Sequence, residues 1–301
     1  MNHQEKKHNQ ISLAAGSVIL LTAIGAWLRH GNTAVDTSSF VLSDRAIPKA
    51  FDGFTIAQIS DLHSTQFGKD QEKLTKRLTE AKPDIIVVTG DLLDSRRSCD
   101  VKIAVDTLRQ MIKIAPVYYV TGNHESRIPD LYQGLERQMK DMGVCVLRSE
   151  SAFLKRKNDK IQIIGMDDPA FYAKKHRQPP KSNMEMLKKL KCLVHKDAYT
   201  VLLSHRPDLF DRYCKTGANL IFCGHAHGGQ FRIPGIGGVY APNQGLLPKY
   251  TEGCFVRNGA VMFVSRGLGN SLFPFRLNNP PEVVVVTLKR PSKITVYQEN
   301  K

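Results

Sequence analysis

The chain has 301 residues, 42% of them apolar, which excludes a disordered or fibrous protein and allows one large or two small domains. Its formal net charge of +15 favours anionic partners: phosphate esters, acidic lipid surfaces or nucleic acid. Six scattered cysteines with no Cys-x-x-Cys pair exclude a zinc ribbon and a small disulfide scaffold.

Residues Ile11 to Leu28 form an uncharged run of 18, with Lys6 and Lys7 before it and Arg29 after. As a helix this run is about 27 Å long, just short of the ~30 Å hydrocarbon core of a bilayer. A buried helix of a soluble domain fits poorly, because the run is terminal and a polar stretch, Gly31 to Ser39, follows it. Residues 1–30 therefore read as an uncleaved membrane anchor in preference to a cleaved signal peptide: the run is long for the latter and lacks a clear small-residue cleavage pattern. Lys6 and Lys7 favour an N-terminus inside, while Arg29, Arg45 and Lys49 weaken that bias; an N-terminus inside puts the main domain outside the cytoplasm. Residues 31–53 read as a linker and an edge strand.

The main domain, 54–299, alternates strands with helices, which predicts an α/β fold with a parallel sheet. Helices are expected over 70–81, 100–113 and 131–142, and strands over 85–89 and 117–121. Shorter strands follow at 144–147, 153–155 and 161–164, with a basic turn at Lys155 to Lys160. A basic, Pro-rich loop at 172–182 and a lysine-bearing helix over 184–194 read as solvated faces that could meet anionic headgroups. Residues 228–250, rich in Gly and Pro, read as a loop across one sheet edge. The chain closes with strands at 260–265, 283–288 and 293–297, and strands at both ends suggest two stacked sheets.

Five apolar strand-like runs end in polar residues. Ile56–Ile59 leads into Asp61 and His63; Ile85–Thr89 into Asp91 and Asp94; Val117–Thr121 into Asn123, His124 and Glu125. Tyr199–Leu203 leads into His205, and Leu220–Cys223 into His225 and His227. In an open α/β sheet, the C-terminal edge of the strands is where ligands bind. Asp61, His63, Asp91, Asn123, His205, His225 and His227 supply two carboxylates, one amide oxygen and four imidazoles. This mixture suits Mn, Fe or Zn and argues against a thiolate site. Seven ligands exceed the needs of one tetrahedral ion and suit two ions that share a carboxylate. Asp91 is the natural bridge, since its strand lies between the other two early ones. Two such ions, about 3.5–4 Å apart, clamp a phosphoryl group and turn a bound water into a hydroxide that attacks phosphorus. His3, His8, His30, His176 and His195 lie in the tail, the basic loop or a helix end and are given no role.

The ordered set Asp-x-His, Gly-Asp-x-x-Asp, Gly-Asn-His-Glu, His and Gly-His-x-His resembles the calcineurin-like metallophosphoesterase superfamily over about residues 54–290. Gly224 to Arg232, Ser265 to Gly269 and Pro280-Pro281-Glu282 look like a branch of bacterial membrane-associated phosphoesterases, some of whose members are UDP-2,3-diacylglucosamine pyrophosphatases of lipid A synthesis. The resemblance implies a four-layer α/β/β/α sandwich. It implies one metal on Asp61, His63, Asp91 and His227, and the other on Asp91, Asn123, His205 and His225. His124 would stabilise phosphate charge or protonate the leaving oxygen, and Asp94 would orient it. Asp94 has an alternative reading as the N-cap of the next helix. Glu125 stands where some relatives carry Asp and is given no chemistry.

Arg266 and Arg276 flank Gly-Leu-Gly and Phe273-Pro274-Phe275. Either could bind substrate oxygens, or form surface ion pairs. Phe273 and Phe275 read as core or as a lip against an acyl chain. The reading is a membrane-anchored, two-metal phosphoesterase acting on a phosphodiester or pyrophosphate, on a lipid or cell-envelope substrate. A nuclease ranks lower for want of a nucleic-acid module. A non-catalytic binding protein ranks lowest, because every ligand and His124 are present.

Overall fold

In the computed structural model the described residues are 3–97, 99–173, 179–291 and 295–298. The first elements are α1 (His3–Thr33), β1 (Asp36–Ser43), β2 (Thr55–Ile59), α2 (Glu72–Ala81), β3 (Ile85–Thr89), α3 (Val101–Met111), β4 (Val117–Val120), α4 (Pro129–Asp141) and β5 (Cys145–Val146). Then come β6 (Glu150–Arg156), β7 (Asp159–Gly165), α5 (Pro169–Ala173), α6 (Pro179–Leu193), β8 (Tyr199–Leu203), α7 (Phe210–Tyr213) and β9 (Leu220–Cys223). Four two-residue strands follow: β10 (Arg232–Ile233), β11 (Gly237–Gly238), β12 (Tyr240–Ala241) and β13 (Gly245–Leu246). The last are β14 (Gly253–Arg257), β15 (Ala260–Val264), β16 (Glu282–Lys289) and β17 (Thr295–Gln298).

Two large sheets stack face to face, in the strand orders β17-β1-β16-β2-β3-β4-β5 and β14-β15-β9-β8-β7-β6. The run β2 to β5 is parallel, and so is β7-β8-β9-β15. Parallel strands covered on both faces need continuous apolar sequence, and β3 (Ile-Ile-Val-Val-Thr) is buried throughout. Alternate residues serve alternate faces. Ile85 and Val87 fill the core between the sheets with Phe222 and Phe263. Ile86 and Val88 meet the outer helices through Leu78, Leu108 and Leu135. A third core packs α6 and α7 on the far face of the second sheet, with Met186, Leu190 and Phe210 against Leu202 and Ile221. Three cores between four layers make the expected α/β/β/α sandwich.

Local chemistry sets the helices. Leu74 and Leu78 give α2 its one apolar stripe. Asp100 caps α3 by accepting the Lys102 amide at 2.9 Å. Pro129 opens α4, where its missing N–H costs nothing.

Three expectations change. The stretch 31–53 is not a linker with an edge strand: β1 lies between β16 and β17, because partners more than 200 residues away in sequence complete it on both sides. Residues 228–250 are not plain loop but two short antiparallel pairs, β10 with β11 and β12 with β13. The basic segment at 172–182 is interrupted by 174–178, which lie outside the described residues, and its ends belong to α5 and α6.

The run Ile11 to Leu28 lies within α1. Among its described side chains, Val18, Ile19, Leu20 and Leu21 are 61–70% exposed. Among the described residues no helix is long and apolar enough to cross a membrane.

Candidate active site

The parallel strands β2, β3 and β4 of one sheet and β8 and β9 of the other end at a common edge. Thr89 joins the sheets there, its hydroxyl accepting from Gln58 and its carbonyl from His205. Just past the strand ends the chain turns sharply. Asp61, His63, Asp91, His225 and His227 all have positive φ, between 47° and 66°. Such backbone costs of order 1–3 kcal/mol per residue and persists where a site requires it. The turns leave no room for side chains beside the carboxylates: a Cβ on Gly122 would overlap Asp91 Oδ1, and one on Gly224 would overlap Ser60 and Asp61.

All seven sequence-predicted ligands converge there, each at most 5% exposed. Asp61, His63 and His227 form one group, and Asp91, His205 and His225 a second. In the first, His227 Nε2 lies 3.3 Å from Asp61 Oδ1 and 3.3 Å from His63 Nε2. In the second, His205 Nε2 lies 3.2 Å from Asp91 Oδ2 and 3.1 Å from His225 Nδ1. Asp91 Oδ2 also lies 3.7 Å from His63 Nε2, so Asp91 stands between the groups. Asn123 Oδ1 is buried with no hydrogen-bond partner among the described residues. A buried amide oxygen without a donor is costly unless something positive meets it, and that fits a cation.

Hydrogen bonds outside the cluster choose the ligating nitrogens. His205 donates from Nδ1 to the Thr89 carbonyl at 2.7 Å, which turns Nε2 toward Asp91. His225 donates from Nε2 to Asn243 Oδ1 at 2.8 Å, leaving Nδ1 toward His205. Burial acts to lower both rings. It prevails at His225, whereas at His205 Asp91 and Asp61 outweigh it and raise the ring to about 10. The same two carboxylates would attract a divalent ion.

His124 lies beside this cluster, with Nε2 4.0 Å from Asp91 Oδ2. Its Nδ1 has three neighbours: the Ser95 amide at 2.9 Å, which needs a bare nitrogen, the Ser95 hydroxyl at 3.1 Å, which suits either state, and Asp94 Oδ1 at 3.4 Å, which needs a protonated one. The neutral ring therefore accepts from Ser95, and the imidazolium has Asp94. Burial works to raise the Asp94 carboxyl, but hydrogen bonds with His124 and the Arg96 amide outweigh it and hold it at about 2, so it stays ionised for that purpose. The N-cap reading of Asp94 fails, since Asp100 caps α3.

The two sequence-predicted substrate arginines are engaged elsewhere. Arg276 is 2% exposed, and its guanidinium donates to the backbone carbonyls of Arg266, Gly269 and Asn279. Arg266 pairs with Glu282 and Glu252, each at 3.5 Å, and faces a cleft lined by Asp36, Arg77 and Thr287. A cavity of about 270 Å³ over Asp91, Asn123, His124 and His225 is instead lined by Arg96, Arg127 and Arg206. Arg206 is clamped by Asp168 through two contacts, at 2.6 and 3.0 Å, and turns its other nitrogen to Asn243. Its only sequence signal was its position directly after His205.

Glu125 was also missed. It is wholly buried, and its carboxylate accepts three backbone amides: Gly122 at 2.8 Å, Asp91 at 3.1 Å and Leu93 at 3.2 Å. It ties the Asp91 turn to the Asn123 turn. An acid directly after a strand-end Asn-His was the available signal. Glu125→Ala would strand three buried donors at about 1–3 kcal/mol each. Its unfolding free energy is expected to fall by at least about 3 kcal/mol in denaturant titrations, and an unchanged midpoint would contradict this role.

The comparisons with known proteins agree with this geometry. Residues 54–229 match the model of the calcineurin-like phosphoesterase family. The metallophosphoesterase YkuE of Bacillus subtilis (strain 168) is 31% identical over 262 residues, 85% of this chain and 86% of that protein. The phosphodiesterase YaeI of Escherichia coli (strain K12) is 26% identical over 239 residues, 78% of this chain and 82% of that one. A metallophosphoesterase of Aquifex aeolicus (strain VF5) is 28% identical over 284 residues, 90% of this chain and 98% of that one. With buried Asp and His groups at the shared strand edge and family similarity over most of its length, the chain belongs to the calcineurin-like metallophosphoesterases and is a metal-dependent phosphoester hydrolase.

Proposed function

We propose that the protein hydrolyses a phosphodiester or pyrophosphate bond using two divalent ions, Mn first and Fe or Zn as alternatives. The observation that carries this is the pair of three-residue groups meeting at Asp91, with the orphan oxygen of Asn123 beside them. Asp61, His63, Asp91 and His227 would hold one ion, and Asp91, Asn123, His205 and His225 the other. Such a pair supplies a reactive hydroxide at neutral pH and charge to clamp the phosphoryl oxygens.

The chain's own residues do the rest. The His124 amide donates to Asp91 Oδ1 at 2.8 Å and so fixes the carboxylate, turning Oδ2 to the imidazoles. Arg206, held straight by Asp168, presents positive charge to a phosphoryl oxygen. His124, its Nδ1 accepting from the Ser95 amide, would donate from Nε2 to a phosphoryl oxygen; once Nδ1 takes a proton from solvent, with Asp94 as its acceptor, the Nε2 proton would pass to the leaving oxygen and leave a neutral ring. Turnover of a chromogenic phosphodiester on Mn loading, with two equivalents of metal bound, would support the proposal. Metal binding with no turnover on diesters or pyrophosphates would reject it.

The substrate is placed in a lipid or cell envelope, with α1 as membrane anchor and the domain outside the cytoplasm. Exposed apolar side chains along α1 and the charge of +15 support this reading. Removing residues 1–30 is expected to release a soluble enzyme of unchanged turnover on a soluble diester, because the hydrogen bonds from Lys73 to the Thr33 carbonyl and from Asn270 to Asn32 lie beyond the cut. An insoluble, inactive product would place the segment in the fold instead.

A further inference from the structure

The mouth of the cavity carries apolar side chains that stand exposed among the described residues. Leu246 is 75% exposed, Leu247 68%, Ile236 63%, Ile233 46%, Leu272 46% and Phe273 41%. They form one surface, because hydrogen bonds set their segments side by side: Arg232 N to Leu277 O, Val239 N to Phe231 O, and Leu247 N to Val239 O. The Phe231 ring joins them from below, 4.9 Å from Phe273 and 5.5 Å from Phe275. Leu272 and Tyr240 belong both to this rim and to the wall of the metal cavity. Monomeric soluble proteins seldom expose so many adjoining large apolar groups without a use for them.

We propose that this rim is a lipid-contacting surface, whose β10–β11 and β12–β13 hairpins and 272–275 turn enter the headgroup layer of an anionic bilayer and seat the metal cavity over it. Three observations favour lipid over a protein partner. The most exposed residues sit on two short hairpins, Leu246 and Leu247 at the end of β12–β13 and Ile236 in the β10–β11 turn between Gly235 and Gly237. Exposed Arg96, Arg97, Arg127 and Lys249 flank the rim, Arg97 by donating to the Ser271 carbonyl at 2.8 Å. Basic residues beside apolar ones suit anionic headgroups over acyl chains. Finally, the exposed apolar helix α1 ends on the same turn: Asn32 accepts from Asn270, which also donates to the Pro274 carbonyl. Two uncovered apolar surfaces that adjoin point to one continuous apolar medium.

The contact is independent of whether α1 spans the bilayer and of the metal assignment. Trp27 is the chain's single tryptophan, so a reporter can be moved. In the full chain carrying Trp27→Phe and Leu246→Trp, emission is expected to shift to the blue with phosphatidylcholine–phosphatidylglycerol vesicles. It should be quenched when the lipid acyl chains are brominated. Lys157→Trp, on the β6–β7 turn, should show neither effect in the same background. Vesicle-bound chain with no quenching from Leu246→Trp would overturn the proposal. So would a blue shift that grows with protein concentration and needs no vesicles, which would mean that a second copy covers the rim. Ile236→Trp repeats the test should Leu246→Trp fail to fold. As a second readout, Leu246→Ser with Leu247→Ser should slow hydrolysis of a vesicle-borne phosphodiester roughly tenfold and leave a soluble diester unaffected. Equal loss on both substrates would overturn the proposal. A wild-type enzyme inert on both would refute the phosphodiester reading alone, since quenching does not depend on turnover.

Discussion

Asp91→Asn is expected to abolish hydrolysis and to remove bound metal. The reason lies in how the two carboxylate oxygens are used. Oδ1 is committed to the His124 amide at 2.8 Å, a contact only an acceptor can make. In the variant the amide oxygen must therefore take that place, which points the new NH₂ group at His205, where Asp91 Oδ2 now lies 3.2 Å away. A donor then stands where a shared anionic oxygen should meet two cations, and one full negative charge is gone from a site with few compensating groups. The loss should exceed the roughly 10²–10³-fold that follows removal of a single electrostatic stabiliser. Metal content by mass spectrometry and turnover of a chromogenic diester at saturating Mn check it together. Near wild-type turnover would remove Asp91 as the bridge.

His124→Ala is expected to keep both metals and lose rate by roughly 10²–10⁴-fold, the range for a lost general acid. The defect should be smallest for a nitrophenolate leaving group, which needs no proton, and largest for an alkoxide. That dependence separates proton transfer from simple disorder of the site. The geometry leaves a rival: His124, His63 and Asp91 also lie close enough together to hold an ion. If metal content falls in step with rate, His124 is a ligand and not an acid.

The strand-end chemistry was legible in the sequence because it is local. An apolar run of four or five residues followed at once by Asp, Asn or His marks a strand and its tip together; the six Asp and His candidates at those tips lie in close groups, and Asn123 shares a cavity wall with Asp91 and His225. The parallel α/β sheet followed from strands alternating with helices, whereas the four layers came from the family resemblance. Long-range pairing was not legible. β1 looked like an edge because β16 and β17, which enclose it, lie at the other end of the chain. The arginines failed for a related reason. Directly after Phe273-Pro274-Phe275, Arg276 looks free, and only the folded chain shows backbone carbonyls taking its donors. Arg206 gains its position from Asp168 and Asn243, neither of which any motif brings near it. Glu125 was passed over because its work is to hold backbone, not to touch a ligand.

The most direct measurement is anomalous diffraction from crystals of the protein grown or soaked with manganese. The account predicts two peaks, about 3.5–4 Å apart, with Asp91 between them, one facing Asp61 and His227 and the other Asn123 and His205. A single peak, or two that do not share Asp91, would contradict it.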